Sequence, residues 1–244
     1  MNKKNSDFSK SCFWIGGKHT VEAAINNPNR KIIKFVLHQK LINNKIIYNQ
    51  KINIKYENDN FFNKIFKNEI PHQGYAALIE KIQHNTLKYY LEEKTISNII
   101  ALDGISDPRN IGSIIRTSVA FNFDAIIVNK KDFNAKSFLL YKSASGAIEN
   151  IKILEVSNIL NEIKILKQNN FVIIGMDGNA QDSLYVSTIE KKKVIIFGSE
   201  GFGLKNLIRK NCDKLYKIPI SNKIDSLNVS NAVASALAII DFKK

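Results

Sequence analysis

A chain of 244 residues in which 44% are hydrophobic can bury one large core or two modest ones, which excludes disorder by composition. No apolar run approaches the ~18–20 residues that a membrane span needs, and the polar start Met1-Asn2-Lys3-Lys4-Asn5-Ser6-Asp7 has no apolar stretch behind it, so no membrane or secretory route is expected and the cytoplasm is the expected location. The formal net charge of +14 favours a polyanionic partner, nucleic acid first, although a Lys-, Asn- and Ile-rich habit would give the same excess without one.

In chain order, residues 1–12 read as a tail and residues 13–82 as a small α/β domain. Gly17 to Ile25 reads as a helix that stops near Asn26-Asn27-Pro28. Ile32 to Leu37 follows as a strand, then a helical stretch over 41–50, a short strand at 52–56, a helix over 59–67 and the strand Tyr75-Ala76-Ala77-Leu78-Ile79. Residues 83–95 are polar and read as a linker, with a helical connector within it. From 96 to 244 the alternation restarts as a doubly wound α/β domain with a mostly parallel sheet. Its strands are Ile99-Ile100-Ala101-Leu102, Ala125-Ile126-Ile127-Val128, 151–154, 171–174, Val194-Ile195-Ile196-Phe197 and 215–218. Its helices run from Pro108 to Phe121 and over 135–142, 157–168, 204–210 and 228–241. Ligands of such sheets bind at the carboxyl ends of the strands. Cys12 and Cys212 lie far apart and the four histidines are scattered, so neither a disulfide nor a metal site is expected.

Three segments, each following a predicted strand, can carry chemistry. Asp107-Pro108-Arg109-Asn110-Ile111-Gly112 through Arg116 opens a helix with Asp as cap and Pro in the first turn, and places Asn110 and Arg116 near its start. The chain has only Arg30, Arg109, Arg116 and Arg209 among its 36 basic residues, so two arginines in this one segment hint at a task for a guanidinium, such as gripping a phosphate or an oxyanion. A capped helix with a solvated Arg gives the same pattern. Gly198-Ser199-Glu200-Gly201-Phe202-Gly203 allows close backbone approach to a ligand, with Glu200 able to orient a hydroxyl, and a plain tight turn is the other reading. The spacing is not the dinucleotide fingerprint and no P-loop lysine follows. After Ile218-Pro219-Ile220, the run Ser226-Leu227-Asn228-Val229-Ser230 alternates polar and apolar residues where a helix begins, which an N-cap alone would also explain.

Taken together and in order, these segments resemble the three motifs of the SpoU/TrmH family of RNA 2′-O-ribose methyltransferases, in the SPOUT superfamily. Gly16-Gly17-Lys18-His19-Thr20-Val21 and His72-Gln73-Gly74 resemble signatures of that family's N-terminal, L30e/L7Ae-like substrate-binding domain, so the resemblance covers about residues 13–241. It departs at Lys18, where a hydrophobe is common, and at Ser199, where Ala is frequent.

The resemblance implies a C-terminal α/β domain tied into a deep trefoil knot and S-adenosylmethionine held largely by backbone at Gly198, Ile218 and Leu227, with Gly175 and Gly201 in the same pocket. It implies in-line attack of a ribose 2′-oxygen on the sulfonium methyl. Arg116 is the family's central catalytic position; because deprotonating an arginine is costly, it is expected to stabilise the developing alkoxide, with Asn110, Glu200, Ser226 and Asn228 completing the site and holding it. The implied partners are RNA and a second copy of the chain, as a homodimer packed through the knotted domains. The subfamily with this layout includes the bacterial enzyme that methylates a guanosine ribose in large-subunit (23S) rRNA, which is the substrate the resemblance implies. Methylation of tRNA, and a non-catalytic RNA-binding factor with the same fold, are the alternatives.

Overall fold

The computed structural model describes residues 11–42, 52–67, 71–188 and 190–243. The tail read at 1–12 and the helix read at 41–50 therefore lie largely outside the described residues. Contacts divide the chain into two units, one taking the chain up to Gln83 together with Ala135–Asn150, the other His84–Asn134 together with Ile151–Lys244. The inclusion of Ala135–Asn150 departs from the expectation that everything after residue 96 forms one domain.

In the first unit, β1 (Cys12–Gly16), β2 (Ile32–His38), β3 (Ile54–Glu57) and β4 (Tyr75–Glu80) form a four-stranded sheet in the order β1-β4-β2-β3. β4 runs antiparallel to β1 and β2, and β2 runs parallel to β3. The helix Asp59–Phe66 starts where Asn58 accepts the Phe61 amide at 3.3 Å and sets Phe62 and Phe66 into the core beside Val36 and Ala76. The helix Phe138–Ala144, capped by Ser137, comes from far along the chain, and the Phe138 ring meets that of Phe66 edge-on at 5.0 Å. Arg30 completes the attachment. Its guanidinium donates to both Glu149 oxygens, from Nε at 3.0 Å and Nη2 at 2.8 Å, and from Nη1 to the Glu80 carbonyl at 2.8 Å. Asn27 Nδ2 adds a bond to Glu149 Oε2 at 2.7 Å. This bidentate pair is buried, the side chains being 1% and 2% exposed.

In the second unit, seven strands pair throughout in parallel, in the order β7-β6-β5-β10-β8-β11-β9. They are β5 (Asn98–Asp103), β6 (Ala125–Asn129), β7 (Lys152–Val156), β8 (Val172–Met176), β9 (Asp182–Ser183), β10 (Lys193–Gly198) and β11 (Lys214–Lys217). Continuous apolar runs are what strands covered on both faces require, and Ile99, Ile100, Val194, Ile195 and Ile196 are all fully buried, each worth about 1.5–3 kcal/mol relative to exposure. The stretch expected as a linker contributes to this core. Thr86 caps the helix Leu87–Glu92, Leu87 is buried, and Tyr90 and Leu91 pack against the same cluster. Sequence order reverses at β5, since the chain proceeds outward to β6 and β7 and then returns on the other side, with β10 inserted between β5 and β8. The carboxyl ends of β5, β10, β8 and β11 thus gather at one switch point. The helices Pro108–Ala120 and Val229–Phe242 lie against each other, the second also contacting β10.

Candidate active site

Three loops meet at that switch point. The first leaves β5 at Asp103, a 2% exposed carboxylate that accepts the Lys205 amide at 3.0 Å and pairs with the Lys205 ammonium. Gly104 follows in a left-handed conformation at φ 72°, and Asp107 then caps the helix Pro108–Ala120 by accepting the Arg109 and Asn110 amides at 2.6 and 3.3 Å. This fixes Asn110 in the first turn. The second loop leaves β10 at Gly198 and doubles back, the Gly203 amide donating to the Ser199 carbonyl at 2.8 Å. A Cβ on Gly198 would fall 2.0 Å from the Gly203 carbonyl carbon, so only glycine permits the turn. The third loop brings Asn228 to the start of the helix Val229–Phe242.

Glu200 joins all three. Its Oε1 accepts Asn110 Nδ2 at 3.1 Å, Asn228 Nδ2 at 2.6 Å and the Val229 amide at 3.1 Å. Asn228 Nδ2 also reaches Asn110 Oδ1 at 3.2 Å. The Asn228 oxygen faces the other way, accepting the Ser230 amide at 3.0 Å and its hydroxyl at 2.6 Å. Asn228 is therefore both the helix cap and a member of the cluster. Glu200 is solvent-exposed, and among the described residues its Oε2 accepts no hydrogen bond. A carboxylate held on one oxygen and open on the other can orient a hydroxyl that enters the cleft.

Beside the cluster a cavity of about 170 Å³ opens, walled by Phe197, Ile218, Leu227 and Val229, with Gly198 and Ser226 on its lining. A wider cleft of about 860 Å³ adjoins it and includes Gly201, Arg209, Lys217 and Ser226. Apolar walls with exposed backbone at glycines suit a flat heterocycle with a polar tail. Among the described residues, no group of three His, Cys, Asp or Glu side chains could hold a metal.

Asn110, Glu200 and Asn228 are brought into direct contact, and Ser226, Gly198, Gly201, Ile218 and Leu227 line the two cavities. Gly175 does not. It lies inside β8 opposite Ile196 and Leu215, and a Cβ there would meet Leu215 at 2.7 Å, Cys212 at 2.8 Å and Leu204 at 2.9 Å. Its missing side chain serves close packing, and the cleft is lined instead by the next residues, Met176, Asp177 and Gly178. Arg116 is not held by the cluster either. It stands on the exposed face of its helix, six residues or ~9 Å of axial rise beyond Asn110, and makes no hydrogen bond or ion pair among the described residues.

Sequence reasoning missed Asp103 and Lys205, which pair with each other, and Asp177 and Asp225, which line both cavities. Asp177 follows β8 directly, lines both cavities and is paired with Arg209 Nε at 2.8 Å. Its signal was position, since an acidic residue at the carboxyl end of a parallel strand faces the ligand side. Burial, and then Asp213, push the thiol of Cys212 up to about 12, away from the thiolate form that a nucleophile uses.

Comparison with known proteins follows the same outline. Residues 97–238 match the SpoU rRNA Methylase family, and residues 14–84 match the RNA 2′-O ribose methyltransferase substrate binding family. The 23S rRNA (guanosine-2′-O-)-methyltransferase RlmB of Haemophilus influenzae is 32% identical over 235 residues, covering 91% of this chain and 94% of that one. Two solved structures share the fold. The SpoU methyltransferase AviRb of Streptomyces viridochromogenes, in complex with AdoMet, has a TM-score of 0.79 at 18% identity, covering 99% and 94% of the two chains. The AdoMet-bound rRNA methyltransferase of Sinorhizobium meliloti has a TM-score of 0.80 at 20% identity, covering 99% and 91%.

Proposed function

The chain belongs to the SpoU rRNA methylase family, and we propose that it transfers the methyl group of S-adenosylmethionine to a ribose 2′-hydroxyl of RNA, the ribose being that of a guanosine in 23S rRNA. The observation that carries this reading is the convergence of Asn110, Asn228 and the Val229 amide on one oxygen of Glu200 at the rim of a cleft turned by glycine.

The residues present fit the cofactor. Gly198 is part of the cavity lining, and Gly178 has open space where a Cβ would stand. Gly198, Ile218 and Leu227 would hold the adenosine by backbone and apolar contact, with Gly201 at the outer rim. When bound, S-adenosylmethionine supplies a methyl group already activated on a positively charged sulfur. Glu200 orients the 2′-hydroxyl through its free oxygen, with Ser226 beside it, while Asn110 and Asn228 keep the carboxylate from swinging. Arg116 stabilises the negative charge that develops on the ribose oxygen. Its exposure and its lack of a partner among the described residues support a homodimer in which Arg116 serves the partner's site.

The deep trefoil knot and the L30e/L7Ae-like first domain belong to the same reading. Supporting the knot, the chain leaves β11 near the edge of the sheet and returns to the 198–204 turn, where Asn228 and the Val229 amide bond Glu200, before the final helix lies against Pro108–Ala120. The mixed four-stranded sheet of the first unit, which would grip RNA, supports the second assignment. The cytoplasm is the proposed location.

The test is incubation of the purified protein with labelled S-adenosylmethionine and unmodified total RNA, with the label mapped by ribose-methylation-sensitive sequencing. A single 2′-O-methyl in 23S rRNA is expected, and Arg116→Ala is expected to lose about 10²–10³-fold in rate with cofactor binding intact. Label in tRNA would move the substrate, and RNA binding without any label would overturn the enzymatic reading.

A further inference from the structure

Phe202 is 96% exposed, yet it is not on a loose loop. Gly201 and Gly203 flank it, the space where a Cβ would stand on either one is empty to 4 Å, and the ring projects from the turn into solvent. The turn itself is fixed. Gly203 adopts φ 64°, its amide bonds to Ser199, and the Gly198 backbone lies too close to Gly203 for any other residue. Two positions earlier, Glu200 ties the same turn to Asn110 and Asn228. Phe202 thus stands at a set place beside the cluster, on a cleft that also carries Asn206, Arg209 and Lys217. Phe242, 94% exposed at the end of the last helix, lines neither cavity.

We infer that Phe202 is a stacking platform for a base of the RNA strand next to the methylated ribose, and so positions the nucleotide rather than taking part in the chemistry. The inference rests on the reading of the protein as an RNA methyltransferase. An exposed aromatic ring carried on a fixed turn beside cationic side chains is the arrangement that single-stranded nucleic acid recognises, the ring taking the base and the cations the phosphates. The cleft offers both, because Phe202 shares its lining with Lys217 and with Arg209, whose Nε is paired with Asp177.

The experiment compares the wild-type protein with Phe202→Ala, Phe202→Leu and Phe202→Trp, measuring kcat and KM for unmethylated 23S rRNA, the Kd for S-adenosylmethionine, and the oligomeric state by sedimentation. Loss of stacking is expected to raise KM for RNA about 5- to 100-fold in the Ala and Leu variants, with kcat within about threefold of wild type. Phe202→Trp is expected to keep the wild-type KM, and its added indole emission, over the Trp14 background, to be quenched by a mixed-sequence oligoribonucleotide. A wild-type KM in the Ala or Leu variant would overturn the inference. A change in sedimentation that accounts for the lost activity would also overturn it, assigning the ring to a subunit interface. If the wild-type protein methylates no RNA, the functional reading fails by itself, and the quenching decides the stacking: its presence sustains the inference and its absence ends it.

Discussion

Glu149 and Glu200 are both carboxylates on which several donors converge, in opposite surroundings. Glu149 is sealed in the first unit, both oxygens taken by the Arg30 fork and one also by Asn27, with the charge matched by a cation. Glu200 is exposed in the second unit, one oxygen held by two side-chain amides and a backbone amide, and among the described residues no cation pairs with it and the other oxygen is open. The contrast separates a group that holds structure from one placed for a ligand. A closed, charge-matched pair has nothing left to offer a substrate, while a half-occupied carboxylate at a cleft does.

The comparison breaks most visibly at the buried pair. Glu149→Ala leaves Arg30 buried without its counter-charge, and a loss of about 3–5 kcal/mol is expected, read as a large drop in thermal midpoint. Glu200→Ala should do the reverse, costing about 10²-fold in methyl transfer, or ~2.7 kcal/mol of barrier, while the unfolding midpoint barely moves. Equal stability losses in the two variants would erase the distinction. Asn228→Ala lies between them, because it removes a helix cap and a Glu200 tether together. About 1 kcal/mol of stability and a partial loss of rate are expected, separable by denaturant titration and single-turnover assay.

The smallest effect concerns pH. His72 stacks on Phe62 at 4.4 Å, and burial, then the neighbouring His38, lower its pKa from 6.5, with Asp59 opposing. The fold therefore favours the neutral ring. Its contribution is complete above pH 6.5 and shrinks as pH falls below that value toward the lowered one, because the unfolded chain then binds the proton first. Melting curves from about pH 7 to pH 5 should show stability falling with pH, and His72→Phe should flatten that slope.

Much of the second unit was legible because buried parallel strands write themselves as apolar runs, as Ile99–Leu102 and Val194–Phe197 do, and because Asp107-Pro108 is a helix start by local chemistry alone. The meeting of Asn110, Glu200 and Asn228 was legible only through resemblance, since no local rule joins residues that far apart. Gly175 was misplaced because an interior strand glycine gives the same one-letter signal whether a ligand or a leucine approaches it. Arg116 has a residue type suited to an oxyanion, but it stands on the exposed face of its helix, six residues beyond Asn110 and not held by the cluster. The two-residue strand Asp182–Ser183 is too short to show any period. Nor could a pattern say that the helix Phe138–Ala144 joins the other core, because an amphipathic helix announces that it has an apolar face and not which surface will receive it.

That excursion of residues 135–150 has a consequence for synthesis. A chain released from the ribosome at residue 95 would hold every strand of the first sheet and still lack the Phe138 ring against Phe66 and the Glu149 carboxylate against Arg30. The amino-terminal half is thus a nascent chain that waits: its final closure follows translation of β5 and β6, which belong to the other unit. Arrest of translation between residues 95 and 150 would leave an unfinished domain, with a guanidinium whose counter-charge has not yet been made.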